Sequence, residues 1–411
     1  MGFSIGAAGA AGAAGAAGPA AAAGTQAGAG RPALDLSAVL GGAVDDGFAR
    51  AREPRAFRFP EDHGPHPDFR SEWWYLTATV RDASGRPYGV QFTLFRQALA
   101  PPAPAAPEQA APEQAAPERA DDSAWRTRAV WMAHVALTAP GSTGHQAAER
   151  LARDALGMAG VRAAPFAAWL DDWTLTGGED GLLPLRLQAR VTDVAVPFEL
   201  DLSFTGTRPP VPQGDDGLSR KSATAGNASY YYSFTRLDAA GQITVDGTPR
   251  AVDGLAWLDR EWSTSVLDAQ QSGWDWFALH LDDGHDLMIY RIRRADAVGD
   301  GIDPHSAGIL VDPQGGRRRL AVGDWRLTPT ATWSDERGAR WPVAWRLEVP
   351  SAGIAGTVRA VVDDQLNRLS VRYWEGMVCL DGTRPGCGFL ELTGYADRLE
   401  GARESGDTDS R

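Results

Sequence analysis

The chain has 411 residues and a formal net charge of −13, and it carries 15 Trp, 13 Phe and 8 Tyr. That length can bury two cores, and the acidic balance argues against nucleic acid or an anionic membrane surface as the main partner. The sequence has no uninterrupted apolar run of about 18 residues, so no membrane span is predicted.

Residues 1–54 are dominated by Ala and Gly. They hold too few large apolar groups to offset the entropy of ordering, which predicts a disordered tail. Their small residues resemble part of an export signal, yet no Lys or Arg precedes Arg31 and no Leu/Val-rich stretch follows. No signal peptide is recognisable, and a start codon placed too early would read the same way. From here the signal is β. SEWWYLTATV (71–80) and YGVQFTLFR (88–96) read as strands around a Gly/Pro turn. The stretch Pro101–Asp122 repeats APEQA with Pro at short intervals, which bars regular structure and predicts a disordered insertion over 101–122. AVWMAHVAL (129–137) is strand-like, whereas His145–Gly157, HQAAERLARDALG, is amphipathic and ended by Gly, which predicts a helix.

Further on, Phe198, Leu200, Leu202 and Phe204 alternate with Glu199, Asp201 and Ser203, the pattern of a half-buried strand. Similar runs recur from LPLRLQARV (183–191) to LSVRYWEG (369–376) and GFLELTGY (388–395). Strands this numerous, joined by short turns, predict a mainly β protein of antiparallel barrels or sandwiches. The order of the motifs divides the chain into a domain over 55–265 and a second over 266–400, with a disordered tail over 401–411. A pocket is expected at the seam between them. Cys379 and Cys387 flank DGTRPG at a spacing that suits two arms of a hairpin. They would form a cross-strand disulfide in an oxidising compartment and a reduced pair otherwise.

The densest mixture of acids and indoles is GLAWLDREWSTSVLDAQQSGWDWFALHLDD, residues 254–283. Asp259, Glu261 and Asp275 lie there among Trp257, Trp262, Trp274 and Trp276. A carboxylate wedged between indoles loses hydration, and its pKa rises. In a strand, Asp275 shares a face with Phe277 and Leu279 while Trp274 and Trp276 point the other way. It is either a protonated acid or a buried carboxylate paired with Arg260 or a backbone donor. Asp259 and Glu261 share a face, as an acid–base pair or as a solvated strand end salt-bridged by Arg260, which lies with Trp262 on the opposite face. Glu72 sits on the apolar face of its strand with Trp74. His134 shares a face with Met132 and Ala136, as a core histidine or one pointing into a cavity. Asn227, Tyr230 and Tyr232 in GNASYYYS, and Tyr290 in LMIYRIR, offer polar groups to a ligand or ordinary β packing. His63 and His66 lack a third metal ligand nearby, so no metal is predicted.

DHGPHPDFRSEWWYL, WMAHVALT, GNASYYYS, GLAWLDREWS and GWDWFAL, taken in order, resemble the carotenoid 1,2-hydratase-like (AttH-type) family, which includes predicted secreted hydrolases. The resemblance spans roughly Phe57 to Leu399. It implies two tandem lipocalin-like antiparallel β-barrel domains, a periplasmic or secreted location, no cofactor, and an apolar small-molecule substrate. Hydratases of this family add water across an isolated isoprenoid C=C bond. Such a reaction needs an acid, walls that stabilise a cation and a held water. On that basis Asp275 would donate the proton, Trp262, Trp274 and Trp276 would face the cation, and Glu261 or Asp259 would orient the water. The substrate would lie among Glu72, Trp74, His134, Asn227, Tyr230, Tyr232, Arg260, Trp262, Trp274, Trp276 and Tyr290. This chain departs from the hydratases at Arg260, where they carry a histidine. A pericyclase of similar build and a non-catalytic carrier of an apolar ligand are the alternatives.

Overall fold

The structure, a computed structural model, describes residues 34–35, 47–102, 127–179, 181–264, 267–268, 270–295 and 301–395. The tail expected over 401–411, most of the insertion expected over 101–122 and most of the N-terminal tail lie outside these residues.

Alternation along long strands builds two curled antiparallel sheets, lipocalin-like in form. The first runs in the order 144–153, 129–139, 87–98, 71–82, 248–263, 228–245, 198–205, 185–191, 173–176, 166–170 and 159–163. The second runs in the order 317–320, 307–311, 286–294, 271–281, 386–392, 371–382, 354–360, 340–349 and 326–334. Each curls around its own apolar core, one holding Leu76, Phe92, Leu187 and Phe204, the other Phe277, Leu347, Trp341 and Leu390. The chain crosses from the first sheet to the second between Ser263 and Gln271.

Where the sheets meet, strands are buried on both faces. Along 71–82, Trp74, Leu76 and Ala78 enter the first core while Tyr75 joins a third cluster with Trp257, Trp276, Met288 and Phe389. That period-two division is the geometry of a strand with no solvent face. Polar bonds also cross the seam. Asp286 on the second sheet accepts from Arg208 Nη1 at 2.9 Å, Arg236 Nε at 3.0 Å and Thr235 Oγ1 at 3.0 Å, all on the first-sheet side. Gly89 lets the sheets close up, because a Cβ there would lie 2.8 Å from Met377 Cβ and 3.3 Å from Phe389. Gly89→Leu is therefore expected to lower stability by about 1–3 kcal/mol through overpacking, read from urea unfolding midpoints.

Two expectations need correction. Residues 144–153 form an edge strand, not a helix, paired over its length with 129–139 from Gly144↔Ala139 to Val130↔Arg153. Its Ala-rich composition favours helix in isolation, but the open edge of strand 129–139 supplies backbone partners that outweigh a few tenths of a kcal/mol of propensity per residue. Within residues 1–54, read as a disordered tail, the described positions take regular places in the fold. Leu34–Asp35 pairs in parallel with Val371–Arg372, and Ala51 is fully buried with Leu218 and Ala228. Cys379 and Cys387 stand directly opposite each other in the 371–392 hairpin and are disulfide-bonded.

A buried acidic cavity between the sheets as the candidate active site

The strand 248–263 turns Asp259 and Glu261 toward the second sheet. Their cross-strand partners are Ser233 and Tyr231 on one side, and Tyr75 and Trp73 on the other. Across the gap, strands 271–281, 371–382 and 386–392 present Trp274 and Trp276, Tyr373 and Glu375, and Glu391. Together with Phe95, Lys221, Tyr290 and Ile292 these groups line a cavity with about 750 Å³ of empty space, its open mouth included. Half of the lining residues are aromatic, and the polar groups converge from both sheets, which suits an apolar ligand bearing a few polar atoms.

Burial governs the acids. Asp259 accepts from Tyr231 Oη at 2.7 Å, Ser233 Oγ at 2.5 Å and Trp257 Nε1 at 2.6 Å. Desolvation outweighs those three bonds, with the Glu261 charge adding to it, and lifts Asp259 to about 7. Glu375 and Glu391 are register partners on adjacent strands, so their side chains share one face. Glu375 accepts from Tyr75 Oη, and from Gln91 Nε2 at 2.6 Å. Glu391 accepts from Trp274 Nε1 at 2.8 Å. Both are pushed well above the usual carboxylate range, by burial first; Glu391 adds to the rise of Glu375, and the charges of Asp259 and Glu261 add to that of Glu391. Two carboxyls buried on one face resist ionisation, and burial favours their protonated forms.

Glu261 is the partnered acid. It accepts from Ser229 Oγ, and Lys221 Nζ lies 3.0 Å from its Oε1. Burial works against the charge on Lys221, but Glu261, Tyr290 and Asp259 together more than compensate, so the ammonium is held above its ordinary range.

An acid raised by folding stabilises the native state fully below its unfolded pKa, and that contribution is lost as pH rises through the folded value. For Asp259 the window runs from 3.8 to about 7. Asp259→Asn mimics the protonated form. The difference in unfolding free energy between Asp259→Asn and wild type is therefore expected to move in favour of the variant by up to about 1.4 kcal/mol per pH unit across that window. Urea titrations at several pH values measure it, and a pH-independent difference would refute the assignment of a raised acid.

The site expected from the sequence divides among several places. Asp259, Glu261, Trp274, Trp276 and Tyr290 all line the cavity. Asp275 does not. It lies on the opposite face of its strand, fully buried in the second core, where it accepts from Arg291 Nε at 2.7 Å, from Arg293 Nη1 and from Tyr395 Oη at 2.8 Å. Two guanidinium groups and a tyrosine hydroxyl tie it into the second core, and its partner is not Arg260. Glu72, Trp74, Tyr232, Arg260 and Trp262 lie inside the first sheet instead. There Glu72 is bonded by Arg96 and Arg260, whose charges, together with His66, overcome the effect of burial and hold it well below the usual range. Arg260 also stacks 3.9 Å over Trp74 and 4.9 Å over Trp262. Tyr230 donates to the Glu53 carbonyl at 3.0 Å, and Asn227 Nδ2 donates to Ser222 Oγ at 2.8 Å. These residues do not line the cavity, because strand parity turns their side chains elsewhere or they lie beyond its rim.

His134 is connected to the cavity without lining it. Its Nδ1 is 2.7 Å from the Tyr373 hydroxyl and its Nε2 is 3.0 Å from Glu149 Oε2. Gln91 Nε2 bonds both the Tyr373 hydroxyl, at 2.9 Å, and Glu375. Sequence reasoning missed Glu375, Glu391 and Lys221. The available signals were acids at apolar positions in LSVRYWEG and GFLELTGY, and a lysine that has no counterpart anywhere else in the chain.

Curled lipocalin-like sheets with a cavity between them define the class. Residues 50–395 match the AttH-like family, and the chain belongs to it. The crystal structure of an AttH from Nitrosomonas europaea superposes with a TM-score of 0.72 at 34% identity, covering 85% of this chain and 99% of that one. Kievitone hydratase from Nectria haematococca shares the fold, with a TM-score of 0.58 at 15% identity over 85% of this chain and 97% of its own. Dehydratase asqC from Emericella nidulans is 26% identical over 201 residues, 46% of this chain and 52% of that protein. The chain thus spans about half the length of this curated relative.

Proposed function

We propose that the cavity adds water to, or removes it from, a C=C bond of an apolar small molecule of isoprenoid or polyketide type. The observation that carries this reading is the buried, register-paired Glu375 and Glu391 opposite the Asp259–Glu261 wall, where burial favours the protonated form of both. One wall gives a proton as the other takes one, the requirement of addition and elimination alike. With an isolated C=C, protonation on carbon would leave a cation, and the indoles of Trp274 and Trp276 would stabilise it through their π faces. Arg260, bonded to Glu72 in the first core, stands away from these steps. The names of two relatives, a hydratase and a dehydratase, agree with such a reaction.

Apolar alkenes and their hydrated counterparts, incubated with the protein in heavy-oxygen water, test the proposal. Label is expected in the alcohol with wild type and not with Glu375→Gln/Glu391→Gln. An alkene converted to a product without label would point to a pericyclic or isomerising reaction, and ligand recovered unchanged across the panel would point to a carrier.

A further inference from the structure

Lys221 is the sole lysine among 40 basic residues, and it is buried in the cavity wall. An ammonium differs from a guanidinium in being a compact charge with three rotatable donors, able to reach one oxygen atom from the side of a pocket. Two of those donors have partners within reach, Ser219 Oγ at 3.0 Å and Glu261 Oε1 at 3.0 Å. The ammonium lies 4.8 Å from the centre of the Tyr290 ring and 5.7 Å from that of Tyr231. Nearby aromatic faces attract its charge but offer no lone pair of comparable strength, so among the described residues a third N–H has no acceptor and remains for a ligand.

What that acceptor can be follows from its surroundings. Glu261 already neutralises the ammonium, and Asp259, Glu375 and Glu391 line the same cavity. A ligand carboxylate would bring another negative charge into this group of acids. A neutral carbonyl oxygen accepts the N–H without that repulsion, and it draws negative charge only while a bond at the adjacent carbon is being made or broken.

We infer that Lys221 is a carbonyl-binding subsite, and that the substrate is an apolar ketone or related carbonyl compound whose reacting C=C is conjugated to the carbonyl. The inference rests on the proposed hydration–dehydration reaction and deepens it. In the dehydration direction, the Glu261 carboxylate takes the proton from the carbon next to the carbonyl. The C–H electron pair moves toward the carbonyl oxygen, whose developing charge Lys221 holds by hydrogen bond. As the C=O re-forms, those electrons make the C=C, the C–O bond at the next carbon breaks, and the departing hydroxyl takes a proton from the Glu375–Glu391 pair and leaves as water. The proton on Glu261 returns to the pair through solvent at the cavity mouth. Hydration is the reverse, and no oxidant or reductant is needed.

The test uses trans-chalcone, an apolar enone, and 1,3-diphenylpropene, a hydrocarbon of the same carbon skeleton without the carbonyl. Wild type is expected to bind chalcone roughly tenfold or more tightly than the hydrocarbon, the effect of a hydrogen bond from a charged donor. Lys221→Met/Glu261→Gln removes both members of the ion pair and so leaves no lone buried charge; it is expected to bind the two ligands alike. A second measurement needs no substitution. Protein labelled with 15N-lysine has one side-chain nitrogen, whose resonance should shift with chalcone and stay in place with the hydrocarbon. Equal binding of both ligands by wild type, including no binding of either, would overturn the inference. So would an Nζ resonance that chalcone leaves unmoved. If chalcone binds through Lys221 but Glu375→Gln/Glu391→Gln exchanges heavy oxygen as fast as wild type, the subsite stands and the acid–base reaction proposed above fails.

Discussion

Asp275→Asn is expected to lower the stability of the protein by about 3–5 kcal/mol, the scale on which a buried charge loses its partner. The carboxylate is fully buried and meets Arg291, Arg293 and Tyr395. Asparagine keeps the shape but presents an N–H₂ group to one of the two guanidiniums, donor facing donor, while both cations remain in the core. Urea unfolding midpoints at neutral pH check it. A variant as stable as wild type would return Asp275 to consideration as a reacting acid. The same logic applies to Glu72 between Arg96 and Arg260, so two of the acids most conspicuous in the sequence work by neutralising arginines.

Glu375→Gln/Glu391→Gln carries the largest expected effect on chemistry. Losing a positioned general acid typically lowers turnover by about 10²–10⁴-fold. Here the loss should fall on kcat, because glutamine retains size and hydrogen-bonding capacity and the aromatic walls that bind the ligand are untouched. Stability should change in the opposite sense to Asp275→Asn. Neutral amides escape the desolvation and the repulsion from neighbouring acids that raise both glutamates, and the variant should gain on wild type as pH rises. Single-turnover rates alongside ligand affinity separate the two roles. A drop in affinity with kcat preserved would make the pair a binding element.

Much of the fold was legible because strand alternation is a local property. Phe198 to Phe204 announces a half-buried strand without reference to anything else. The helix expected over His145–Gly157 failed for the complementary reason, since a neighbouring strand's unpaired edge is invisible in that segment. The site was half legible. Asp259 and Glu261 stood out as acids among tryptophans, and parity correctly set Asp275 opposite Trp274 and Trp276. Both faces of that strand are apolar, however, so nothing local says which one meets the cavity. Glu375 and Glu391 sit in segments read as strands, each a lone acid. Their partnership exists only through the hairpin register.

That register has a covalent guard. Cys379 and Cys387 face each other on the same ladder as Glu375 and Glu391, two same-face positions further along. Sliding one strand by a single residue would turn one glutamate to the opposite face of the sheet and separate the pair. The bridge forbids that slip in the folded chain and, formed early, would remove the mispaired hairpin from the alternatives open to a folding chain. Its oxidation state then becomes a quality mark for the acid pair: a molecule whose bridge has closed has its glutamates aligned before any ligand arrives.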